Sequence, residues 1–217
     1  MPEAIYRPSD DKFMSREEFL EAAAEALACE SEIRSAFVKS QSFANLDFSH
    51  IDFAASVFES CKFSDCDFEK SSFTDVQFCG CDFSNSCFNE CYFRRATALS
   101  CKFVGAQFCE SILRDTRLEE CSFRYADFDK AVFDSVSAAE SDFSSANLSS
   151  CKLKNTRFDN VNLAAASFFI TSLARFDLTS CNIEGLIVSD TFWELKGAVV
   201  TPYQASQLAR LLGVIVK

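Results

Sequence analysis

The chain has 217 residues, enough for one domain with a sizeable core, and carries a net charge of −11. That charge excludes the basic surfaces by which proteins hold nucleic acid or anionic membranes directly, while leaving a basic protein partner open. Five glycines and three prolines are too few for a turn-rich β-sandwich; no run of 18 apolar residues is long enough to span a bilayer, and MPEAIYRPSDDK lacks a basic-then-apolar signal pattern, so a cytoplasmic, reducing setting is expected for the twelve cysteines.

Residues 1–30 read as an N-terminal extension. Within it SREEFLEAAAEALA, residues 15–28, predicts a helix: Ser15 is the N-cap, Glu18 completes a capping box, and alanines fill the interior. It is expected to cap whatever follows.

From Phe43 onward a large apolar residue recurs every five positions up to Ile183, and 27 of those 29 positions are Phe, Leu or Ile. Phe63, Phe83, Phe103, Phe123 and Phe143, twenty apart, are the expected core column. A small or apolar residue sits two positions before each large one, as at Ser56, Cys61, Ala96 and Ala126, and the remaining positions are mostly polar. Neither a helix nor a flat strand holds a period of five in one phase, but a coil that turns a corner every five residues does. Ile33 and Val38 share the phase, and Val188 and Trp193 are candidates to extend it, so the repeat domain is assigned to 31–195. Ala98 and Ala138 stand where a large residue belongs, predicting local distortion or recruitment of Leu99 inward.

The pattern resembles the pentapeptide-repeat family, as ADFDKAVFDS at 126–135 and ANLSSCKLKN at 146–155 illustrate. The resemblance implies an all-β solenoid: a right-handed, four-sided β-helix of 20 residues per coil, with capping helices at both ends. Residues 41–185 then make roughly seven coils, or about 35 Å at ~4.8 Å per coil.

Eight cysteines (61, 66, 81, 91, 101, 121, 151 and 181) fall in the small inward slot, where a thiol serves as a small hydrophobe. Cys61, Cys81, Cys101 and Cys121 should stack as an inner ladder. Cys79, Cys87 and Cys109 fall outward and are candidate reactive thiols.

Residues 196–217 read as a C-terminal helix and tail. Thr201 and Pro202 start the helix, and Gly213 stops it. The stretch YQASQLARLLGVIV resembles the C-terminus of the Qnr-type quinolone-resistance pentapeptide-repeat proteins, which implies a homodimer joined end to end. Trp193, Tyr203, Gln204, Ala205, Leu208, Leu211, Leu212, Val214 and Ile215 are the expected interface, being too apolar as a set for a short exposed tail. Phe169 and Ile170 point outward nearby and are expected to be covered by it.

Sorted by position in the coil, charges separate by face. The face through Phe48, Phe68, Phe88, Phe108 and Phe128 carries Asp47, Asp67, Glu69, Glu90, Glu110, Asp127 and Asp129 against two lysines. The opposite face carries Glu59, Glu119, Glu120, Glu140, Asp159 and Asp177 against two arginines. A third face is basic, with Arg94, Arg95, Arg114, Lys152, Lys154 and Arg175. A rod with acidic faces presents a field like that of duplex DNA to a basic saddle. With the resemblance, this implies a DNA mimic that binds DNA gyrase or topoisomerase IV and protects it from quinolones. The alternative is an interaction scaffold or immunity protein with another target. Unlike several Qnr proteins, the repeat is uninterrupted by loops from 41 to 185.

No enzyme is expected. The single histidine, His50, sits at an outward corner, and the sequence has no G-x-S-x-G, P-loop, H-E-x-x-H or zinc-type cysteine pair. No cofactor, metal, direct nucleic-acid contact or membrane contact is expected.

Overall fold

The computed structural model describes residues 13–211 and 213–216. The N-terminal stretch bearing on a signal peptide and Leu212 lie outside the described residues. A helix, α1 (Arg16–Cys29), precedes a parallel β-solenoid, and a second helix, α2 (Pro202–Leu211), follows it. No helix is long and apolar enough to cross a membrane among the described residues.

The Ser15 hydroxyl accepts the Glu18 N–H at 3.1 Å, and the Glu18 carboxylate accepts the Ser15 N–H at 2.8 Å, which closes the capping box that starts α1. Phe19, Ala23 and Ala26 form its buried face. Phe19 plugs the open end of the solenoid. Its ring centroid lies 5.2 Å from Phe43, 5.6 Å from Phe48, 6.4 Å from Phe53 and 5.8 Å from Phe58, so one side chain touches all four sides of the coil.

The four sides are distinguished here as faces A to D in chain order. Face A stacks seven parallel strands, from Glu32–Arg34 to Lys152–Lys154, and face B seven, from Phe37–Lys39 to Arg157–Asp159. Pairing is in register at an offset of 20, as in Phe53↔Phe73 and Phe58↔Phe78. Faces C and D carry shorter bridges at the same offset, such as Asp82↔Lys102 and Asp67↔Cys87.

Inside, the large residues form columns. Phe63, Phe83, Phe103, Phe123 and Phe143 are all buried on face C, with neighbouring centroids 4.6–5.2 Å apart and nearly parallel rings. Ser71 and Ser86, in the small slot, are each satisfied twice. Ser71 donates to the Phe48 carbonyl at 2.8 Å and accepts the Ile51 N–H at 3.1 Å, and Ser86 does the same with Phe63 and Cys66. The corners are left-handed. Every fifth residue from Ser35 to Arg175 has positive φ, and only Gly80 and Gly105 among them are glycines. Inter-coil hydrogen bonds from the corner amides, such as Ser135 N–H to the Lys154 carbonyl at 2.9 Å, hold that conformation against its intrinsic cost.

Ala98 and Ala138 produce no distortion. Both keep register, Ala98 with Phe78 and Leu118, and Ala138 with Leu118 and Phe158. Leu99 is half-exposed and is not drawn inward. The missing volume at Ala98 instead remains as an apolar cavity of about 20 Å³, bounded by Phe78, Phe103, Leu118 and Phe123. Straight strand ladders above and below fix the backbone more firmly than one small void can bend it.

Register changes near the end. Ser167 still bridges Ile187, but the Leu173 N–H donates to Glu194 and Asp177 bridges Val199, so two extra residues enter the last turn. Val188 is half-buried, whereas Trp193 does not extend the inward column: it is exposed, and Glu194 takes the interior.

Candidate partner-binding faces and C-terminal end

The carboxylates on face D have two distinct jobs. Asp47, Asp67 and Asp127 bend back onto the backbone, accepting the N–H two residues on from Ser49 (2.9 Å), Glu69 (2.9 Å) and Asp129 (3.0 Å). Hydrogen bonds from Ser49 hold Asp47 below the usual carboxylate range. These aspartates shape the corners. Glu69, Glu90, Glu110 and Asp129 stand outward, partly neutralised: Lys70 reaches Glu69 at 3.0 Å and Glu90 at 3.6 Å, and Lys130 reaches Glu110 at 3.2 Å and Asp129 at 3.7 Å. Both lysines are well exposed, so these pairs are weak and screened.

Face B is less neutralised at its C-terminal half. Glu59 pairs with Lys39, and Glu119 lies 3.6 Å from Arg117. The Glu120 carboxylate accepts from the Ser100 hydroxyl (2.7 Å), and that of Glu140 from the Asn160 amide (2.8 Å), with no ion pair to either among the described residues. Glu120, Glu140 and Asp142 line one shallow surface groove that also holds Lys102 and Arg124. Asp159 stands two coils beyond Glu119, with Ala139 between them. The basic residues gather on face A, where Arg95 grips Asp75 through two nitrogens at 2.5 and 2.6 Å. That contact holds Asp75 below its usual range.

At the C-terminal end Gln204 has a structural task. It completes a second capping box, accepting the Thr201 N–H at 2.8 Å while its own N–H donates to the Thr201 hydroxyl at 3.2 Å. Its side-chain amide donates to the carbonyls of Leu178 (2.7 Å) and Cys181 (2.8 Å). Gln204 is buried within its own chain and fastens α2 to the last coil, a task beyond the interface role the sequence suggested. A T-x-x-Q pattern at 201–204 was the available signal. Leu208 packs partly on the core; Tyr203, Ala205, Leu211, Val214 and Ile215 are exposed, as is Trp193. Phe169 and Ile170 are not covered by α2 or the tail: 46% and 51% of their surfaces face solvent. Of the fourteen exposed large apolar side chains among the described residues, ten lie between Phe169 and Val216, so this end is where the described chain is apolar outside.

Glu194 was not legible as a functional or structural residue. Its carboxylate is fully buried and accepts the N–H groups of Ile170 (3.0 Å) and Ser189 (3.2 Å) and the Ser189 hydroxyl (2.9 Å). Burial alone would raise its pKa; the hydrogen bonds outweigh it and hold the group below the usual carboxylate range.

All twelve cysteines are free thiols. Cys61, Cys81, Cys101 and Cys121 stack as a buried ladder, with the Cys81 N–H donating to the Cys101 sulfur at 3.4 Å. Burial pushes the inward Cys151 up to about 12. The outward trio are half-buried, and burial with nearby Asp127 pushes Cys109 up to about 11, while Cys87 is also raised by burial. A thiol so held is a poor nucleophile at neutral pH, which argues against reactivity at those two positions.

The family model described as "Pentapeptide repeat region" matches residues 71–146, and that described as "Pentapeptide repeats (8 copies)" matches 42–75 and 141–168. No curated protein matches the sequence. Among solved structures, a trypsin-treated form of QnrB1, a plasmid-mediated fluoroquinolone resistance protein, aligns at 20% identity and TM-score 0.46, covering 86% of this chain and 90% of the other. HetL, a pentapeptide repeat protein involved in heterocyst differentiation regulation in the cyanobacterium Nostoc sp. strain PCC 7120, aligns at 14% identity and TM-score 0.32, covering 86% and 97%.

Proposed function

The chain belongs to the pentapeptide-repeat family, and on that premise we propose that it is a non-enzymatic, dimeric, cytoplasmic DNA mimic that binds a type II topoisomerase, gyrase or topoisomerase IV, and protects it from quinolones. The observation that carries the reading is the segregation of charge on a rod: outward carboxylates on two opposite faces, and basic residues on a third. A basic groove built to hold a duplex attracts such a rod by the same field.

The C-terminal end supports dimerisation through its cluster of exposed apolar groups, joined to a helix that Gln204 holds in place. Two rods end to end span roughly 70 Å, or about 20 base pairs of duplex at ~3.4 Å each. The resemblance of YQASQLARLLGVIV to the C-terminus of Qnr-type proteins supports the choice of target.

The test is direct binding to purified gyrase and topoisomerase IV over a salt series, with and without Glu119→Gln, Glu120→Gln and Glu140→Gln together. The reading requires affinity that falls steeply with salt and drops at least tenfold in the triple variant. Affinity unchanged by the triple substitution refutes mimicry through face B.

A further inference from the structure

Both seven-stranded sheets end at the same coil, Lys152–Lys154 on face A and Arg157–Asp159 on face B, although the chain makes another turn through 172–179. One coil earlier the ladder is closed. The Ser135 N–H donates to the Lys154 carbonyl at 2.9 Å, and the N–H groups of Lys152 and Arg157 donate to the carbonyls of Ala131 (3.0 Å) and Val136 (2.9 Å). One coil on, the same groups are the Asn155 N–H and the carbonyls of Cys151 and Thr156, and among the described residues none of the three has a backbone partner. The facing coil does not supply one, because its amides turn to its own side chains: Ala174 N–H to the Ser172 hydroxyl at 3.3 Å, and Thr179 N–H to the Asp177 carboxylate at 3.0 Å. Two hydroxyls pin the ends of the opening, with Thr171 accepting the Cys151 N–H at 2.8 Å and Ser180 accepting the Asn160 N–H at 3.1 Å. A free strand edge of fixed length is left between them.

The wedge is Phe176. It occupies the small inward slot of its column, where the coils before it place Thr116, Val136 and Thr156, and it is the only aromatic in that slot anywhere between 36 and 186. Its ring lies 5.4 Å from Phe158. Leu153 and Thr156, beneath the opening, are half-buried where the members of their columns in earlier coils are buried. The opening is a groove of about 650 Å³ lined by Arg157, Phe158, Asp159, Arg175, Phe176 and Asp177. Elsewhere on the rod, outward charges one coil apart pair, as in Asp75 with Arg95, Glu110 with Lys130 and Asp134 with Lys154. Arg157 and Asp177 are also one coil apart, yet neither they nor Asp159 and Arg175 form an ion pair among the described residues.

We propose that this edge docks an extended segment of a partner protein as an added β-strand, and that the segment carries one acidic and one basic residue on either side of a small apolar one. Unpaired main-chain groups along a strand supply the affinity of strand addition, and alternate side chains supply its specificity. Arg157 and Asp159 flank Phe158 and point outward, so a strand laid beside them places its own outward residues next to one cation and one anion. Its central residue turns inward over Phe158, where Phe176 already fills most of the space and leaves room for a small side chain. The inference goes beyond the functional reading above and needs neither the dimer nor a topoisomerase.

The test uses the full chain and three blocked peptides, Gly-Ser-Glu-Val-Lys-Ser-Gly and its Glu-Val-Glu and Lys-Val-Lys counterparts, so that strand direction does not affect the comparison. Calorimetry reads affinity, and amide hydrogen exchange reads the Asn155 N–H. The native chain is expected to prefer the Glu-Val-Lys peptide by about fivefold over the other two, and the bound peptide to slow exchange at Asn155. Asp159→Lys is expected to shift the preference to Glu-Val-Glu, and Arg157→Glu to Lys-Val-Lys. Both positions are exposed, so the variants retain the fold. No binding by any peptide, equal affinity for all three, preferences that the two substitutions leave unchanged, or binding that does not slow Asn155 exchange overturns the proposal. Exchange at Asn155 that slows with protein concentration in the absence of peptide also overturns it, by placing a second copy of the chain in the edge.

Discussion

The carboxylate of Glu194 accepts the Ile170 amide across the last turn of the solenoid, at 3.0 Å, with no cation beside it among the contacts described. It stabilises the end of the fold as an anion, because its partners are N–H and O–H donors. Its folded pKa lies below the unfolded one, so its contribution is fully present above the unfolded value and disappears as pH falls through the folded value. Glu194→Ala is expected to cost about 1–3 kcal/mol at pH 7 by leaving buried donors unpaired. Urea unfolding at pH 7 and pH 3 checks this: the difference between native and variant should shrink in acid.

Phe19 closes the other end. Phe19→Ala removes a fully buried ring that touches all four columns and is expected to cost about 3–5 kcal/mol. Thermal denaturation followed by circular dichroism reads the loss, and hydrogen exchange should localise it to the first coil. Tyr125→Ala, at an exposed corner, should change stability by no more than about 0.5 kcal/mol.

The cavity beside Ala98 predicts a gain. Ala98→Leu places in that column the residue already present one coil on, at Leu118, and is expected to stabilise the fold by about 1 kcal/mol. Destabilisation by a similar amount would mean that the void is too small and the coil overpacked.

Thiol labelling separates the outward cysteines. Cys109 should react slowly with iodoacetamide at pH 7 and faster as pH approaches about 11, whereas the exposed Cys29 is expected to label first. Peptide mass spectrometry over a pH series gives the order.

The period of five made the columns and the inward cysteines readable, because each coil repeats one spatial demand on one residue type, and the start signals at Ser15 and Thr201–Pro202 did the same for the helices. The corners were not readable. Left-handed φ at Lys70, Arg95, Tyr125 and Ile170 contradicts local propensity and is imposed by the coils above and below. Asp47 and Asp127 were counted as surface charge, but they also fold onto the amides two residues on; charge sorting alone does not separate a turn-forming aspartate from a presented one. Gln204 was read only as an interface residue because its capping box with Thr201 was overlooked. Glu194 was invisible because two residues enter the last turn after Ile187 and shift its phase. Phe176 was readable in principle, as an aromatic in a slot reserved for small residues.

The central claim is tested most directly by a DNA supercoiling assay with purified gyrase and ciprofloxacin, titrating the native chain. The account predicts that supercoiling recovers at near-stoichiometric amounts, and that the Glu119, Glu120 and Glu140 triple variant loses this effect. No rescue and no inhibition, with gyrase or with topoisomerase IV, would contradict it.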